Sequence, residues 1–272
     1  MSRPIAFIGG GNMARSLIGG LIRQGHAGHQ IHVSEPNADL RETLARDFGV
    51  VAHALNDAAA RLADIWVLAV KPQVMATVLA ELAPVAVDQA PLVVSIAAGV
   101  THGRIADVLG PGARVVRTMP NTPAMIGAGI TGLYAGADVG AAERVAVEAL
   151  FASAGATVWI ADEMQMDAVT AVSGSGPAYF FLLIEALVAA GARQGLPTDT
   201  AARLALHTAL GAARMVIESG EEVALLRQRV TSPGGTTAAA LDVFVQGGFP
   251  ELVDQAVAAA TRRGRELTQC VG

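Results

Sequence analysis

The sequence predicts an α/β protein in which a doubly wound parallel sheet is followed by an all-α domain. Three observations carry this. Short β-branched runs alternate with helical periodicity through the first part of the chain, a glycine-rich turn joins the first run to the first helix, and after about residue 161 Ala/Leu-rich helical periodicity takes over. Strands interleaved with helices of this length predict parallel βαβ units covered on both faces.

The expected strands fall at residues 5–8, 31–33, 65–70, 92–96 and 115–118, with shorter ones near 130–134 and 157–159. Between them, apolar side chains recur on one face at 13–24, 38–48, 74–82 and 141–154, the pattern of amphipathic helices. A length of 272 residues suggests two cores rather than one. The compositional change places the boundary near 162–164, giving domains 1–162 and 163–272. In the second, helix starts are marked by Pro177 in Ser173-Gly174-Ser175-Gly176-Pro177, by Thr198 with Asp199, and by Pro250 before Glu251.

Hydrophobic residues make up 52% of the chain and charged ones 16%, with a mean hydropathy of +0.45, which is apolar for a soluble protein. The longest apolar run, 178–190, is interrupted by Glu185 and falls short of the ~20 residues that span a bilayer. The N-terminus shows no secretion signal, since residues 5–8 run straight into glycines. These features predict a cytoplasmic chain, not a membrane one, that hides a second apolar surface in a homodimer. The alanine-rich segments 178–192, 201–213 and 256–260 would let its helices approach closely. A single cysteine, Cys270, rules out an intramolecular disulfide, and no Cys/His cluster has the spacing of metal ligands, so no metal is expected. A net charge of −5 without a Lys/Arg run argues against nucleic acid and for a small-molecule substrate.

The first strand ends in Gly9-Gly10-Gly11-Asn12-Met13-Ala14, the Gly-x-Gly-x-x-Ala turn of a Rossmann-type dinucleotide site. Gly9 permits the tight turn, Gly11 lets backbone approach a pyrophosphate, and Asn12 and Met13 open a helix whose free N–H groups favour phosphate. Glu35 follows Ala14 by 21 residues, the distance expected of an acid that binds the adenosine ribose and favours NADH. Ser34 and Asn37 could instead hold the 2′-phosphate of NADPH, although no Arg stands beside them, so both cofactors remain open. Two further strand ends lie at the carboxyl edge, where open α/β sheets bind ligands. They put Val70, Lys71 and Pro72, and then Ala97, against the cofactor. Asn121, in Met119-Pro120-Asn121-Thr122-Pro123, would face the nicotinamide.

In the helical part, the Ser173–Pro177 motif with Ser175 and the segment Thr231-Ser232-Pro233-Gly234-Gly235-Thr236-Thr237 each precede an expected helix. Each would present N–H and hydroxyl donors to a small carboxylate.

Together with the opening turn, Ala69-Val70-Lys71-Pro72, residues 117–123, 171–179 and 230–237, these motifs resemble pyrroline-5-carboxylate reductase over essentially the whole chain. The resemblance implies reduction of 1-pyrroline-5-carboxylate to L-proline by NADPH or NADH, the last step of proline biosynthesis. It also implies a helical dimerisation domain, with dimers often assembling into a decamer. Asn56 matches the family position that touches the adenosine ribose. Ser232, Gly234, Gly235, Thr236 and Thr237 match its loop for the substrate carboxylate and imine. One departure is Glu35-Pro36, where some members carry an Asn-Arg pair suited to NADP.

Hydride addition to a cyclic imine asks mainly for positioning. Thr237 is the expected hydrogen-bonding partner of the ring nitrogen, while Ser232 and the loop N–H groups hold the carboxylate. A rival β-hydroxyacid dehydrogenase would need a lysine from its helical domain, and Lys71 is the only lysine. His207, on an apolar helix, reads as packed rather than as a replacement acid–base. A non-catalytic dinucleotide sensor would differ chiefly at residues 232–237.

Overall fold

A computed structural model describes residues 3–270; the Cys270 side chain, on which the disulfide expectation rests, lies outside the described residues. The chain forms two compact units. One runs to Ser175 and takes in the residues from Ala260 onward; the other is Gly176–Ala259. The change in composition near 162–164 therefore lies inside the first unit.

The first unit is built on eight strands: β1 (Ile5–Ile8), β2 (Ile31–Ser34), β3 (Val51–His53), β4 (Ile65–Leu68), β5 (Leu92–Ser95), β6 (Arg114–Met119), β7 (Gly129–Ala135) and β8 (Gly155–Trp159). They lie in the order β3-β2-β1-β4-β5-β6-β7-β8, so the winding reverses between β1 and β4. Helices α1 (Asn12–Arg23), α2 (Ala38–Phe48), α3 (Asn56–Ala60), α4 (Pro72–Gln89), α5 (His102–Leu109) and α6 (Ala141–Phe151) connect them.

The central strands β1, β4 and β5 read as near-continuous apolar runs because both faces are covered. On β1, Ile5 and Phe7 join one core with Leu17, Ile18, Leu44 and Phe151, while Ala6 and Ile8 join the other with Met75, Leu79 and Ile105. Full burial of each such aliphatic or aromatic side chain contributes about 1.5–3 kcal/mol. The buried Trp66 indole N–H donates to the Ala60 carbonyl at 3.0 Å, so its polar atom is satisfied.

Three features depart from the sequence reading. First, β3 and the short helices α3 and α5 were not foreseen. β3 has three residues and lies at the sheet edge with Val51 exposed, too short for a periodicity signal. Secondly, the sheet is not wholly parallel: β6 and β7 are antiparallel, Val116 opposite Ala135 and Met119 opposite Gly132. A parallel crossover needs a dozen or more residues, and the proline-bearing 3-10 turn Thr122–Ile126 leaves no room for one. Thirdly, α4 continues past 82 to Gln89, carrying Pro84 inside it.

After β8, a 3-10 turn (Glu163–Gln165), helix α7 (Met166–Val169), a π turn (Thr170–Gly174) and helix α8 (Gly176–Arg193) follow without a break. The helix start expected at Pro177 is present, with α8 opening at Gly176, but helical turns already precede it. The Ser175 N–H donates to the Thr170 carbonyl at 2.8 Å, so a wide turn carries the helix through the serine–glycine motif. This whole stretch, Glu163–Arg193, has 31 residues and a mean hydropathy of 1.5 in its most apolar window. By length and composition it is long enough to cross a membrane, which 178–190 alone is not.

The second unit continues with α9 (Thr198–Ser219), α10 (Val223–Arg229), α11 (Thr236–Gln246) and the start of α12 (Phe249–Cys270). Gly191 lets α8 and α9 approach, since a Cβ there would lie 3.2 Å from Ala201 Cβ. Among its described residues only Ala201 and Ala205 are buried hydrophobics, while Phe180 is 66% and Ile217 80% exposed. His207, expected to be packed, is exposed on α9.

Candidate functional site

The glycine turn sits where the winding reverses. Gly9 adopts φ +102°, and a Cβ there would meet the Ala69 carbonyl oxygen at 2.7 Å, so only glycine lets the end of β1 lie against that of β4. Gly11 is the reverse case: nothing lies within 4 Å of where its Cβ would be. It caps α1 without a side-chain hydrogen bond, and no acid stands in the first turn. The helix-opening N–H groups near Asn12 and Met13 are thus left to a ligand, and a dinucleotide pyrophosphate fits this open, positive helix end.

Beyond the turn, side chains at the end of β2, the start of α3 and in α4 hold one another. The Ser34 hydroxyl donates to Asn56 Oδ1 at 2.8 Å, and Asn56 Nδ2 donates to Glu81 Oε2 at 2.7 Å. Leu55, Asn56, Asp57, Arg61 and Glu81 border a polar cleft of about 340 Å³, suited to a nucleoside. The Glu35 carboxylate turns back toward the glycines: Oε2 accepts from the Gly10 N–H at 3.1 Å and Oε1 from the Asn37 N–H at 3.0 Å. Arg41, which sequence reasoning missed, brings its guanidinium to the same turn, donating to the Glu35 and Pro36 carbonyls, both at 2.8 Å. The absence of an Arg beside Ser34 and Asn37 in sequence is thereby overridden. The first turn of α2 folds residue 41 back over 35, a signal that the N-cap at Asn37 could have supplied.

At the carboxyl edge, Val70 is half-buried and Lys71 exposed, with Pro72 opening α4. The Ala97 N–H is drawn to Ser95 Oγ at 3.3 Å. Asn121 is 8% exposed and its amide is engaged within the protein: Oδ1 accepts from the Ile130 N–H at 3.0 Å, and Nδ2 donates to the Ser173 carbonyl at 3.1 Å.

In the second unit, the segment 231–237 forms a tight turn. The Gly235 N–H donates to the Ser232 carbonyl at 3.0 Å, and Gly234 has φ +69° after Pro233, the pattern of a type II turn. Gly235 then caps α11 without a side-chain hydrogen bond, so the N–H groups beginning at Thr236 and Thr237 are not capped by a side chain. Ser232 and Gly234 are exposed, and Thr237 is half-buried. Like α1, α11 is entered from a glycine with no side chain capping it, and its N–H groups suit a small carboxylate. The Ser175 N–H is not comparable, since the π turn already uses it.

Residues 163–267 match the family model described as pyrroline-5-carboxylate reductase dimerisation, and residues 4–99 the one described as NADP oxidoreductase, coenzyme F420-dependent. A pyrroline-5-carboxylate reductase of Pseudomonas aeruginosa is 51% identical, with 100% of each chain covered. Among solved structures, a pyrroline-5-carboxylate reductase from Coxiella burnetii aligns with a TM-score of 0.95 at 42% identity, covering 98% of this chain and 99% of that one. Plasmodium falciparum pyrroline carboxylate reductase with NADP bound aligns with a TM-score of 0.85 at 30% identity, covering 98% of each. With full-length identity at this level joined to a matched dimerisation region, the chain belongs to the pyrroline-5-carboxylate reductase family.

Proposed function

We propose that this protein reduces 1-pyrroline-5-carboxylate to L-proline with hydride from NADPH or NADH, the final step of proline biosynthesis. The observation that carries this reading is the pair of glycine-led helix starts without a side-chain cap in a chain of this family: α1 behind Gly9 and Gly11, and α11 behind Gly234 and Gly235. Gly9, Gly11, Asn12 and Met13 cradle the pyrophosphate. Ser34, Glu35 and Asn56 address the adenosine ribose, and Val70, Lys71, Pro72, Ala97 and Asn121 line the cofactor's remaining length. The nicotinamide supplies hydride to the imine carbon. Ser232, Gly234, Gly235 and Thr236 hold the substrate carboxylate, Thr237 hydrogen-bonds the ring nitrogen, and Ser175 adds a hydroxyl. Because the imine can arrive protonated, the protein's part is mainly orientation. Residues 1–162 serve as the dinucleotide-binding domain and 163–272 as the dimerisation and substrate-binding domain.

Arg41 supports use of NADPH, as a guanidinium at the end of β2 suits a 2′-phosphate. The dimerisation-family match and the exposed apolar side chains of α8 and α9 support a homodimer, with decamers as the larger assembly. In this reading a second copy of the chain, rather than lipid, covers those helices, and the protein works in the cytoplasm without nucleic acid. Oxidation of NADPH or NADH followed by absorbance on adding pyrroline-5-carboxylate tests the activity; no turnover with either cofactor would leave a dinucleotide sensor.

A further inference from the structure

We propose that Glu163 is a positioning residue for hydride transfer, because a single carboxylate oxygen ties strand β6 to the start of α5, the two elements that flank the carboxyl-edge segments carrying Asn121 and Ala97. Its Oε1 accepts from the Arg117 guanidinium at 2.8 Å and from the His102 backbone N–H at 2.6 Å. Arg117 lies on β6 just before Met119 and Asn121, and His102 opens α5 just after the loop that carries Ala97. The inference rests on the assignment of those segments to the cofactor made above.

The surroundings make this more than a charge pair. The Arg117 side chain is only 5% exposed, so its guanidinium needs a partner, and Glu163 is the carboxylate it reaches. Charge neutralisation alone would be complete with that contact. The same oxygen also receives the amide that starts α5, where the Thr101 hydroxyl accepts from the Arg104 N–H at 3.3 Å. The His102 ring stands edge-on to Tyr134 at 5.9 Å. Tyr134 is the cross-strand partner of Arg117. Gly136 makes room for the ring, since a Cβ there would fall 2.1 Å from His102 Nε2. Arg117, Tyr134, His102 and Glu163 thus form one block. A shift of its carboxylate moves residues 96–101 and 119–121 together. Displacement of about 1 Å in such supports lowers turnover by as much as ~100-fold.

Full-length variants assayed with NADPH and pyrroline-5-carboxylate, and melted in parallel, distinguish positioning from neutralisation. Arg117→Met/Glu163→Leu removes both charges and leaves none buried alone, a kind of exchange that is often neutral for stability. The double variant should melt within about 4 °C of wild type. Its kcat should nevertheless fall ~10–100-fold with KM for pyrroline-5-carboxylate changed less than about threefold, because the His102 N–H is still unheld. Recovery of wild-type kcat along with the melting temperature would overturn the proposal and leave Glu163 as a counter-charge only. If the double variant does not fold, Glu163→Gln and Glu163→Asp decide. Gln keeps an oxygen at the right reach and Asp keeps the charge, so higher kcat in Gln supports positioning and higher kcat in Asp overturns it. Wild-type turnover in the same assay separates either result from a failure of the functional reading.

Discussion

His32 Nδ1 lies 3.2 Å from His53 Nε2, one ring donating to the other across the β2–β3 edge beneath the Ser34–Asn56 contact. Burial lowers the pKa of both from 6.5, and for His32 the neighbouring His53 ring lowers it further. In the unfolded chain both would take up protons below pH 6.5, while the folded pair resists. Stability from this pair is therefore complete above that pH and lost as pH falls through and below it. His53→Gln should flatten the fall in melting temperature on the acid side. Melting curves for wild type and variant that stay parallel from neutral to acid pH would refute the coupling.

The glycines of the first turn should separate stability from binding. Gly9→Ala places a Cβ against the Ala69 carbonyl in a left-handed conformation and should destabilise by about 1–3 kcal/mol. Gly11 has φ −67° and open space beside it, so Gly11→Ala should melt like wild type yet bind NADPH about tenfold more weakly, ~1.4 kcal/mol. Unchanged affinity in a nucleotide titration would move the pyrophosphate away from this turn.

Cofactor choice should follow the Glu35–Arg41 turn. Arg41→Ala should lower kcat/KM for NADPH by about tenfold or more, as for a lost charge-assisted hydrogen bond, and leave NADH nearly unaffected. Glu35→Gln removes a charge that repels a 2′-phosphate and should raise activity with NADPH relative to NADH. Because Glu35 also holds the Gly10 and Asn37 N–H groups, Gln is a better probe than Ala. Equal loss with both cofactors in the Arg41 variant would make that residue a brace of the turn only.

At the substrate loop, Thr237→Ala should lower turnover by ~10–100-fold, the order for one oriented hydrogen bond at a reacting atom, with cofactor affinity nearly unchanged. Ser232→Ala should chiefly raise KM for pyrroline-5-carboxylate. Wild-type kinetics in both would reduce the turn before α11 to a helix cap.

The exposed face of α8 should be the subunit contact. Wild type should sediment as a dimer or larger species at micromolar concentration, and Phe180→Asp/Phe181→Asp should shift it toward monomer. A wild-type monomer would contradict the homodimer outright.

Local chemistry made much of the fold legible in sequence. The β-branched runs located seven strands, the central ones β1, β4 and β5 as near-unbroken apolar runs because they are buried on both faces, and the glycine turn placed the dinucleotide site because only glycine satisfies φ and space at residue 9. The segment 231–237 announced its turn through proline followed by two glycines. Contacts distant in sequence were decided by tertiary structure. The antiparallel direction of β7 and the bond from the Asn121 amide to the Ser173 carbonyl depend on what packs nearby, which periodicity does not report. The same holds for α12. A Cβ on Gly264 would lie 3.3 Å from Asp167 Oδ1, and a Cβ on Gly99 would lie 3.6 Å from the backbone at Leu267 and Thr268. Composition marks α12 only as another helix. Its last turns, from Ala260 onward, belong to the nucleotide-binding unit and pass close to Asp167 and Gly99, contacts that only the tertiary structure supplies.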